Sequence, residues 1–155
     1  MRFNSIGTVK VDNEGMRILV NKEYLDAMVG MDGFSHINVL WWFSECDNDQ
    51  CRNTLQEASP YKNSPEILGA FAMRSPMRPN PIALTCAGIT YIDYANGVIG
   101  LTYIDADDNT PVLDIKPYTP SFDRVEQPSL PEWCAHWPKN TETSGDFDWE
   151  NEFNF

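Results

Sequence analysis

The fold is decided by residues 82–105, which read IALTCAGITYIDYANGVIGLTYID. The side chains of Ile82, Leu84 and Cys86 alternate with those of Ala83, Thr85 and Ala87, and such alternation is typical of a β-strand. Thr90–Tyr94 is predicted to continue the strand. Asn96-Gly97 follows, and because both residues accept positive φ it predicts a type I′ hairpin turn. Val98–Ile104 is then the returning strand, so the segment is predicted to form an antiparallel hairpin.

Further short strands are predicted on both sides of this hairpin. Apolar residues flank the turn Asn13-Glu14-Gly15 and predict a hairpin near the start of the chain. His36–Phe43 carries its apolar side chains at period two, and Val112–Ile115 predicts a last strand. One short helix is expected between Asn21, which can cap it, and Gly30, which can end it.

Six or seven short strands separated by turns favour a mainly β fold, an antiparallel barrel with one short helix. A length of 155 residues indicates one domain, and we assign the barrel domain to residues 1–123. Residues 124–155 are predicted to form an extended C-terminal tail, because its prolines prevent regular strand pairing. The tail is aromatic and acidic, and we expect it to drape over the barrel, since free aromatic rings would favour aggregation.

The charge balance limits the partners of the chain. There are 23 Asp and Glu against 11 Lys and Arg, which gives a formal charge of -12. Nucleic-acid-binding proteins usually carry a basic surface, because neutralised phosphates release counterions, and this composition offers no such surface overall. A polyanionic partner would therefore need a local basic patch or a second subunit.

Segment lengths bear on where the protein resides. The longest apolar stretch, Ile37–Phe43, is far shorter than the roughly 20 residues of a membrane-spanning helix. The first residues, MRFNS, lack the apolar core of a secretory signal, so we expect a cytoplasmic protein without a membrane partner. The four cysteines are accordingly expected to be reduced thiols.

The first candidate site is the segment RSPMRPNP, residues 74–81. Its prolines fix φ and push the preceding residues out of the helical region, so the loop is stiff. Arg74 and Arg78 are therefore presented on a pre-ordered backbone, and a guanidinium suits a carboxylate, a phosphate or an aromatic face. The same arginines could instead form salt bridges with the many acids at one end of the barrel.

The second candidate is the turn DADDNTP, residues 105–111. Its spacing matches only the first ligand positions of a calcium loop, because Thr110 stands where that loop needs Gly and Lys116 where it needs Glu. What remains is a turn rich in acceptors, able to bind hydroxyls, an amino group or a cationic centre. The alternative is an Asx-type turn in which Asp and Asn bond their own backbone.

A third candidate lies on the last strand. Asp114, Lys116 and Tyr118 are expected to share one strand face, opposite the apolar Leu113 and Ile115. An acid, a base and a phenol in a row could handle a proton, or could simply form a solvated face with an internal ion pair.

No metal site is expected. The spacing of Cys46 and Cys51, and of Cys134 and His136, is a poor match to structural zinc sites, which show paired short spacings.

Three blocks resemble the TsaA-like (TrmO) family: GFSH at 33–36, FAMRSPMRPNPI at 71–82 and DNTPVLDIKPY at 108–118. They occur in order at familiar spacing and cover roughly Ile6–Asp123. The resemblance implies a TsaA-like β-barrel that binds S-adenosylmethionine and forms a homodimer. It further implies methylation of threonylcarbamoyl-adenosine beside the anticodon of certain tRNAs.

The resemblance also implies which residues contact the methyl donor. A guanidinium suits the carboxylate of its methionine moiety, and acidic residues can accept from ribose hydroxyls and amino groups. The implied contact residues are Ser44, Glu45, Arg74, Arg78, Leu84, Asp105, Ala106, Asp107 and Asp108. We name Asp114, Lys116 and Tyr118 as the candidate catalytic set.

The sequence departs from the family in three places. The basic arm between the first two strands is absent, because residues 7–15 turn straight round. Ser44-Glu45 stands where the family has His-Gln, and Asp108-Asn109 replaces an Asp-Gly turn, although Asn also accepts positive φ. The missing arm and the net charge of -12 disfavour tRNA as a partner more than they disfavour S-adenosylmethionine.

The leading hypothesis is therefore an S-adenosylmethionine-dependent methyltransferase that transfers the methyl group directly to a positioned nucleophile. Two alternatives stay open. One is a non-catalytic S-adenosylmethionine-binding protein such as a sensor, and the other is a methyltransferase that acts on a small molecule.

Overall fold

The computed structural model describes residues 2–155, and it contains a closed antiparallel barrel. The eight strands are β1 (Gly7–Asp12), β2 (Gly15–Val20), β3 (His36–Trp42), β4 (Gln56–Ala58), β5 (Ile67–Gly69), β6 (Ile82–Asp93), β7 (Val98–Leu101) and β8 (Pro111–Pro117). Six of them close the barrel in the order β1-β2-β7-β6-β3-β8, and β4 pairs with β5 in a separate two-stranded ribbon. The predicted mainly β barrel is confirmed.

The barrel is filled by the inward side chains of its strands. On β3 the side chains of Ile37, Val39 and Trp41 are buried, whereas their neighbours are partly exposed, which is the predicted period of two. The most deeply buried interior side chains are Val9, Ile18, Ile37, Val39, Ile99, Ile104 and Val112.

The register of three neighbouring strands aligns residues on the outer face. Leu40 of β3 lies opposite Leu84 of β6 on one side and opposite Asp114 of β8 on the other. Directly paired residues point to the same face, so these three side chains form one outward row. The register shifts next to Leu40, where Leu113 is the extra residue of a β-bulge.

The predicted type I′ turn at Asn96-Gly97 is wrong. Asp93 pairs with Val98, so the loop has the four residues 94–97, and Asn96 does not have positive φ. The Asp93 side chain accepts from the Asn96 backbone N–H at 3.1 Å and from its side-chain amide at 2.7 Å. These bonds stabilise the longer loop, which a dipeptide signal cannot reveal.

The helix predicted after Asn21 is present as the 3₁₀ helix Lys22–Met28. Asn21 does not cap it, because its side-chain amide donates to the Ser5 carbonyl at 3.0 Å instead. The helix ends at Met28, and Val29, between it and the Gly30 expected to end it, is 80% exposed. Further short helical segments are Ser44–Cys46, Asp49–Asn53, Ala70–Ala72, Pro120–Asp123, Glu132–Cys134, Thr141–Ser144 and Trp149–Glu152.

The C-terminal segment is less extended than the sequence suggested, because several of these short helices lie within it. Its rings cluster around Tyr61, which follows β4: Trp133 is stacked on Tyr61 at 5.4 Å, Trp137 meets it edge-on at 4.9 Å and Phe153 lies 5.5 Å away. The aromatic rings thus gain partners on the β4–β5 ribbon. The division into a barrel of residues 1–123 and a draped tail stays a prediction.

Across residues 2–155, no helix combines the length and apolar character that crossing a membrane requires.

The core pattern gives a stability prediction. Replacing Ile18, which is fully buried, by Ala should lower the free energy of unfolding by about 2–5 kcal/mol, because it removes buried methyl groups and leaves a cavity. The adjacent Leu19 lies on the other face of β2. Replacing it by Ala should lower the free energy of unfolding by less than about 1 kcal/mol. Urea unfolding followed by circular dichroism measures both, and equal losses would contradict the assigned strand faces.

Candidate functional site

The residues implied as donor contacts gather at one end of the barrel. We call it the upper end, defined as the end where β3 and β7 finish and β6 and β8 begin. The Phe43 N–H donates to the Pro81 carbonyl at 2.8 Å, which holds Ser44 and Glu45 beside the start of β6. The loop that contains residues 105–108 crosses the same end from β7 to β8.

Arg74 reaches the upper end from the loop that precedes β6. Its guanidinium donates to the Leu84 carbonyl, so the structure brings these two implied donor-contact residues together. Within residues 2–155 Arg74 has no carboxylate partner, although acids outnumber bases 23 to 11. Its exposed guanidinium therefore keeps donors available for an external carboxylate or phosphate.

Arg78 has a different environment. Its Nε donates to the Ser75 carbonyl at 2.8 Å, and one terminal nitrogen donates to the carbonyls of Ala70 at 2.9 Å and Met73 at 2.7 Å. These bonds satisfy carbonyls of a proline-rich loop that lacks regular pairing. Arg78 therefore has the geometry of a residue that stabilises its own loop. Its contact with the methyl donor stays a prediction.

The acceptor-rich turn is anchored by Asp108. This carboxylate accepts from the Val11 N–H at 3.0 Å and from Lys10 Nζ at 2.9 Å, and both bonds hold its pKa below the usual range. Asn109 has φ of 67°, the left-handed conformation that its side chain tolerates. Asp105 and Asp107 are exposed, so their carboxylates remain available as acceptors.

The candidate catalytic set is split by its position along β8. Asp114 shares the outward row with Leu84, about two strand spacings or roughly 10 Å away. Lys116 Nζ lies 2.7 Å from the Asp114 carboxylate, whose hydrogen bond raises the pKa of Lys116 and keeps the amine charged. Tyr118 follows β8 at the opposite, lower end, where its ring packs edge-on against His36 at 6.3 Å.

Two cavities lie away from the implied donor-contact residues at the upper end. A wide groove of about 580 Å³ runs between residues 63–65 and the tail residues Glu132, Trp133 and His136. A smaller, mainly apolar cavity of about 180 Å³ lies at the lower end, beneath the 3₁₀ helix Lys22–Met28, with Asp114 in its wall. Neither cavity is lined by Arg74, Leu84 or residues 105–108, and the side chains of Arg74, Leu84, Asp105 and Asp107 are exposed to solvent.

The cysteines are free thiols, and within the described part of the chain no three His, Cys, Asp or Glu side chains lie close enough to hold a metal ion. Burial raises the pKa of Cys46, with a contribution from the neighbouring Cys51 thiol.

Some residues around the site escaped the sequence reasoning. Arg52 donates to the Pro79 carbonyl at 3.0 Å and pairs with Asp47 at 2.7 Å, so it braces the far end of the loop that carries Arg74. Burial raises the pKa of Tyr61, and the charge of Arg74 opposes that rise. A lone Tyr in a polar stretch gave no local signal of its aromatic partners Trp133, Trp137 and Phe153.

Known proteins resemble this chain in sequence and in fold. The family model described as the tRNA-methyltransferase O N-terminal domain matches residues 6–124. The chain therefore belongs to the tRNA-methyltransferase O N-terminal domain family, as the resemblance predicted.

Two curated relatives and one solved structure illustrate the range of the family. An Archaeoglobus fulgidus "S-adenosyl-L-methionine-binding protein" is 34% identical over 110 residues, 71% of this chain and 73% of that protein. A human "tRNA (adenine(37)-N6)-methyltransferase" is 37% identical over 107 residues, which are 69% of this chain but 23% of that protein. A crystal structure of TrmO from Pseudomonas aeruginosa has the same fold, with a TM-score of 0.62 and 23% identity over 83% of this chain and 60% of that one.

The bonding of Arg78 gives a second stability prediction. Arg78→Lys should lower the free energy of unfolding by about 1–3 kcal/mol, because a single ammonium cannot replace the bonds to Ser75, Ala70 and Met73. Arg124→Lys, at an exposed residue paired with Glu126 at 3.4 Å, is the matched control and should be neutral. Thermal unfolding compares the two variants, and an unchanged midpoint for Arg78→Lys would show that the loop does not need this brace.

Proposed function

We propose that this chain is an S-adenosylmethionine-dependent methyltransferase whose donor binds at the upper end of the barrel. One observation carries the proposal: within residues 2–155 Arg74 has no acidic partner, although the chain is strongly acidic, and it lies against Leu84, at the end crossed by residues 105–108. Membership of the tRNA-methyltransferase O N-terminal domain family supports it, as do relatives named for S-adenosylmethionine binding or for methyl transfer.

The side chains present at the upper end fit the chemical groups of the donor. The N–H donors of Arg74 that do not bond the Leu84 carbonyl suit the carboxylate of the methionine moiety. Asp105 and Asp107 are exposed acceptors for the amino group and the ribose hydroxyls. Leu84, which is 49% exposed, offers an apolar surface for the adenine ring.

Methyl transfer requires positioning more than it requires strong catalytic groups. The bound donor supplies an electrophilic methyl group on a sulfonium, and the protein must hold a nucleophile in line with it. Asp114 is our candidate to accept the proton that the nucleophile releases, because it shares the outward row with Leu84. Lys116 stays charged and orients Asp114 through their 2.7 Å ion pair. Tyr118 is the weakest of the three candidates.

A homodimer is part of the proposal. Phe71, which is 89% exposed, and Leu84, which is 49% exposed, lie on either side of the Arg74 loop in the sequence, and a second subunit at this end would cover both apolar side chains. A second subunit would shield the upper end from solvent. We propose that the protein acts in the cytoplasm, in keeping with four free cysteines.

A small-molecule acceptor is the second candidate, and non-catalytic S-adenosylmethionine binding is the third. Arg17 pairs with Asp12 at 2.7 Å and with Glu14 at 3.0 Å, so the arginine at the β1–β2 turn is already neutralised. Lys10 is likewise paired with Asp108. These pairs leave few cations for tRNA phosphates, which favours an acceptor other than tRNA.

The donor prediction concerns Arg74. Calorimetric titration with S-adenosylmethionine should show binding to the wild-type chain, and Arg74→Ala should weaken it about tenfold or more, because a charge-assisted pair is lost. Arg124→Ala, at an exposed arginine in the tail, is the control and should bind like the wild type. Absence of binding by the wild-type chain would refute the proposed function.

The acceptor prediction concerns salt dependence. If tRNA binds, we expect weak binding with a slope of about -2 to -3 in log affinity against log salt, at roughly 0.9 for each phosphate contact. Filter binding from low to moderate salt measures the slope. A steep slope would indicate a basic surface that forms on dimerisation, whereas no binding at low salt, with donor binding intact, would favour a small-molecule acceptor or a sensor.

A further inference from the structure

The lower end of the barrel holds a cavity of about 180 Å³ that is separate from the upper-end residues. Part of its wall comes from the barrel interior, where Val20 and Ile37 are buried. Another part comes from the 3₁₀ helix Lys22–Met28 and the loop after it, which contribute Met28 and Met31. The cavity therefore lies between the end of the barrel and the segment that joins β2 to β3.

The short seam between β1 and β8 explains where this space comes from. β8 runs to Pro117, but within residues 2–155 it pairs with β1 only through Pro111 and Val112. Beyond Val112 one edge of β8 has no paired strand, and Ile115 and Pro117 line the cavity there. Ile6, which precedes β1, lines the cavity as well. The space thus opens where the strand pairing of the seam stops.

The segment that covers the cavity is suited to adjust its shape. Its 3₁₀ helix has seven residues, which is longer than usual for this helix, and 3₁₀ hydrogen bonds have poorer geometry than those of an α-helix. The side chains of Met28 and Met31 are unbranched and flexible, so they can repack around a guest molecule. The barrel strands can therefore stay fixed while the cover adapts.

The size and apolar character of the wall select for a small aromatic molecule. An apolar cavity of about 150 Å³ stays dry and binds molecules of the size of benzene. A cavity of about 180 Å³ accordingly has room for one aromatic ring system with few additional atoms. Tyr24 and Phe34 in the wall offer ring contacts, and the two methionine sulfurs offer favourable contacts with an aromatic guest.

The charges around the cavity select for an uncharged molecule. Within residues 2–155 no basic residue lines the cavity, so a phosphate or carboxylate would lose its hydration without gaining a partner. Asp114 is the one acidic residue in the wall, and its carboxylate is already paired with Lys116 at 2.7 Å. A cationic guest would therefore have to compete with this ion pair.

We propose that the lower-end cavity binds a small, uncharged aromatic molecule of about the size of indole, at a site separate from the methyl-donor site. The proposal does not rest on the proposed function, because Arg74, Leu84 and residues 105–108 do not line the cavity. S-Adenosylmethionine is not this ligand, because the wall offers no partner for its carboxylate.

The test uses indole as the probe and the methionine methyl groups as reporters. Met28 and Met31 line the cavity, whereas Met73 and Met77 lie beside and within the loop that carries Arg74. In protein labelled with ¹³C at the methionine methyl groups, NMR titration with indole should shift the Met28 and Met31 signals saturably, with a Kd below about 1 mM. The Met73 and Met77 signals should not move. Indole-3-carboxylate, which adds a charge to the same ring, should give no such shifts.

Ala27→Phe supplies a variant that fills the cavity. Ala27 lines the cavity from the 3₁₀ helix and is exposed, so a larger side chain there can block the site without overpacking the core. The variant should weaken indole binding about tenfold or more. Ala95→Phe, at another exposed alanine in the loop after β6, is the matched control and should bind indole like the wild type. If Ala27→Phe does not fold, the methyl shifts of the wild-type protein decide the question.

Several results would overturn the proposal. One is the absence of saturable shifts up to the solubility limit of indole, and another is unchanged indole affinity in Ala27→Phe. Shifts at Met73 and Met77 in place of Met28 and Met31, or displacement of indole by S-adenosylmethionine, would place indole at the upper end. Binding that disappears as the protein concentration rises would show that a second copy of the chain covers the cavity. Failure of S-adenosylmethionine to bind, with indole bound as expected, would refute the proposed function and leave this proposal standing.

Discussion

Closure of the barrel between β1 and β8 is the constraint on which the rest of the structure depends. Only Gly7 and Thr8 pair with β8, opposite Val112 and Pro111, and bonds from the Ile6 and Val9 N–H groups extend the seam at 2.8 Å. Closure removes the unpaired edges that an open sheet would expose. The loop before β8 runs along β1, where Asp108 accepts from Val11, so the seam that closes the barrel also fixes the acceptor-rich turn.

At the upper end, Arg74 differs from the neighbouring lysine and arginine side chains in the partners it has. Lys10, Arg17 and Arg52 all have carboxylate partners within 3.0 Å, and each stabilises a local turn or loop. Arg78 is occupied by main-chain carbonyls. Among residues 2–155 Arg74 has no carboxylate partner, so its guanidinium remains solvated. In an acidic chain this difference separates Arg74 from the basic side chains that stabilise turns and loops.

The tail packs against the segment of the chain between β3 and β6, which contains Tyr61. Rings that would be a liability in solvent find partners around Tyr61, and a buried Glu152 fixes their arrangement. This assembly is built on the β4–β5 ribbon, which is not part of the closed barrel. The tail cluster therefore adds to the β4–β5 region without taking part in the strand pairing of the barrel.

Local pattern in the sequence was sufficient for the strands of the barrel, the polarity of their faces and the family, but not for the separate β4–β5 ribbon. Alternation on β3, the tight turn before Gly15 and the block around RPNP are encoded within a few residues, so they can be read directly. The residues expected to contact the methyl donor were inferred from the family resemblance. The sequence alone already showed that the basic arm between the first two strands is absent. The conformation of Asn109, accepted in advance as tolerant of positive φ, is what the structure contains.

Contacts between residues far apart in sequence were decided only by the tertiary structure. The four-residue loop after Asp93 depends on one side-chain acceptor, and the different environments of Arg74 and Arg78 depend on which carbonyls surround each one. The contact of Tyr61 with the tail joins segments more than 70 residues apart, and no local period encodes it. Local periodicity records which face of a strand is buried, whereas the partner across a fold is set by how the whole chain packs.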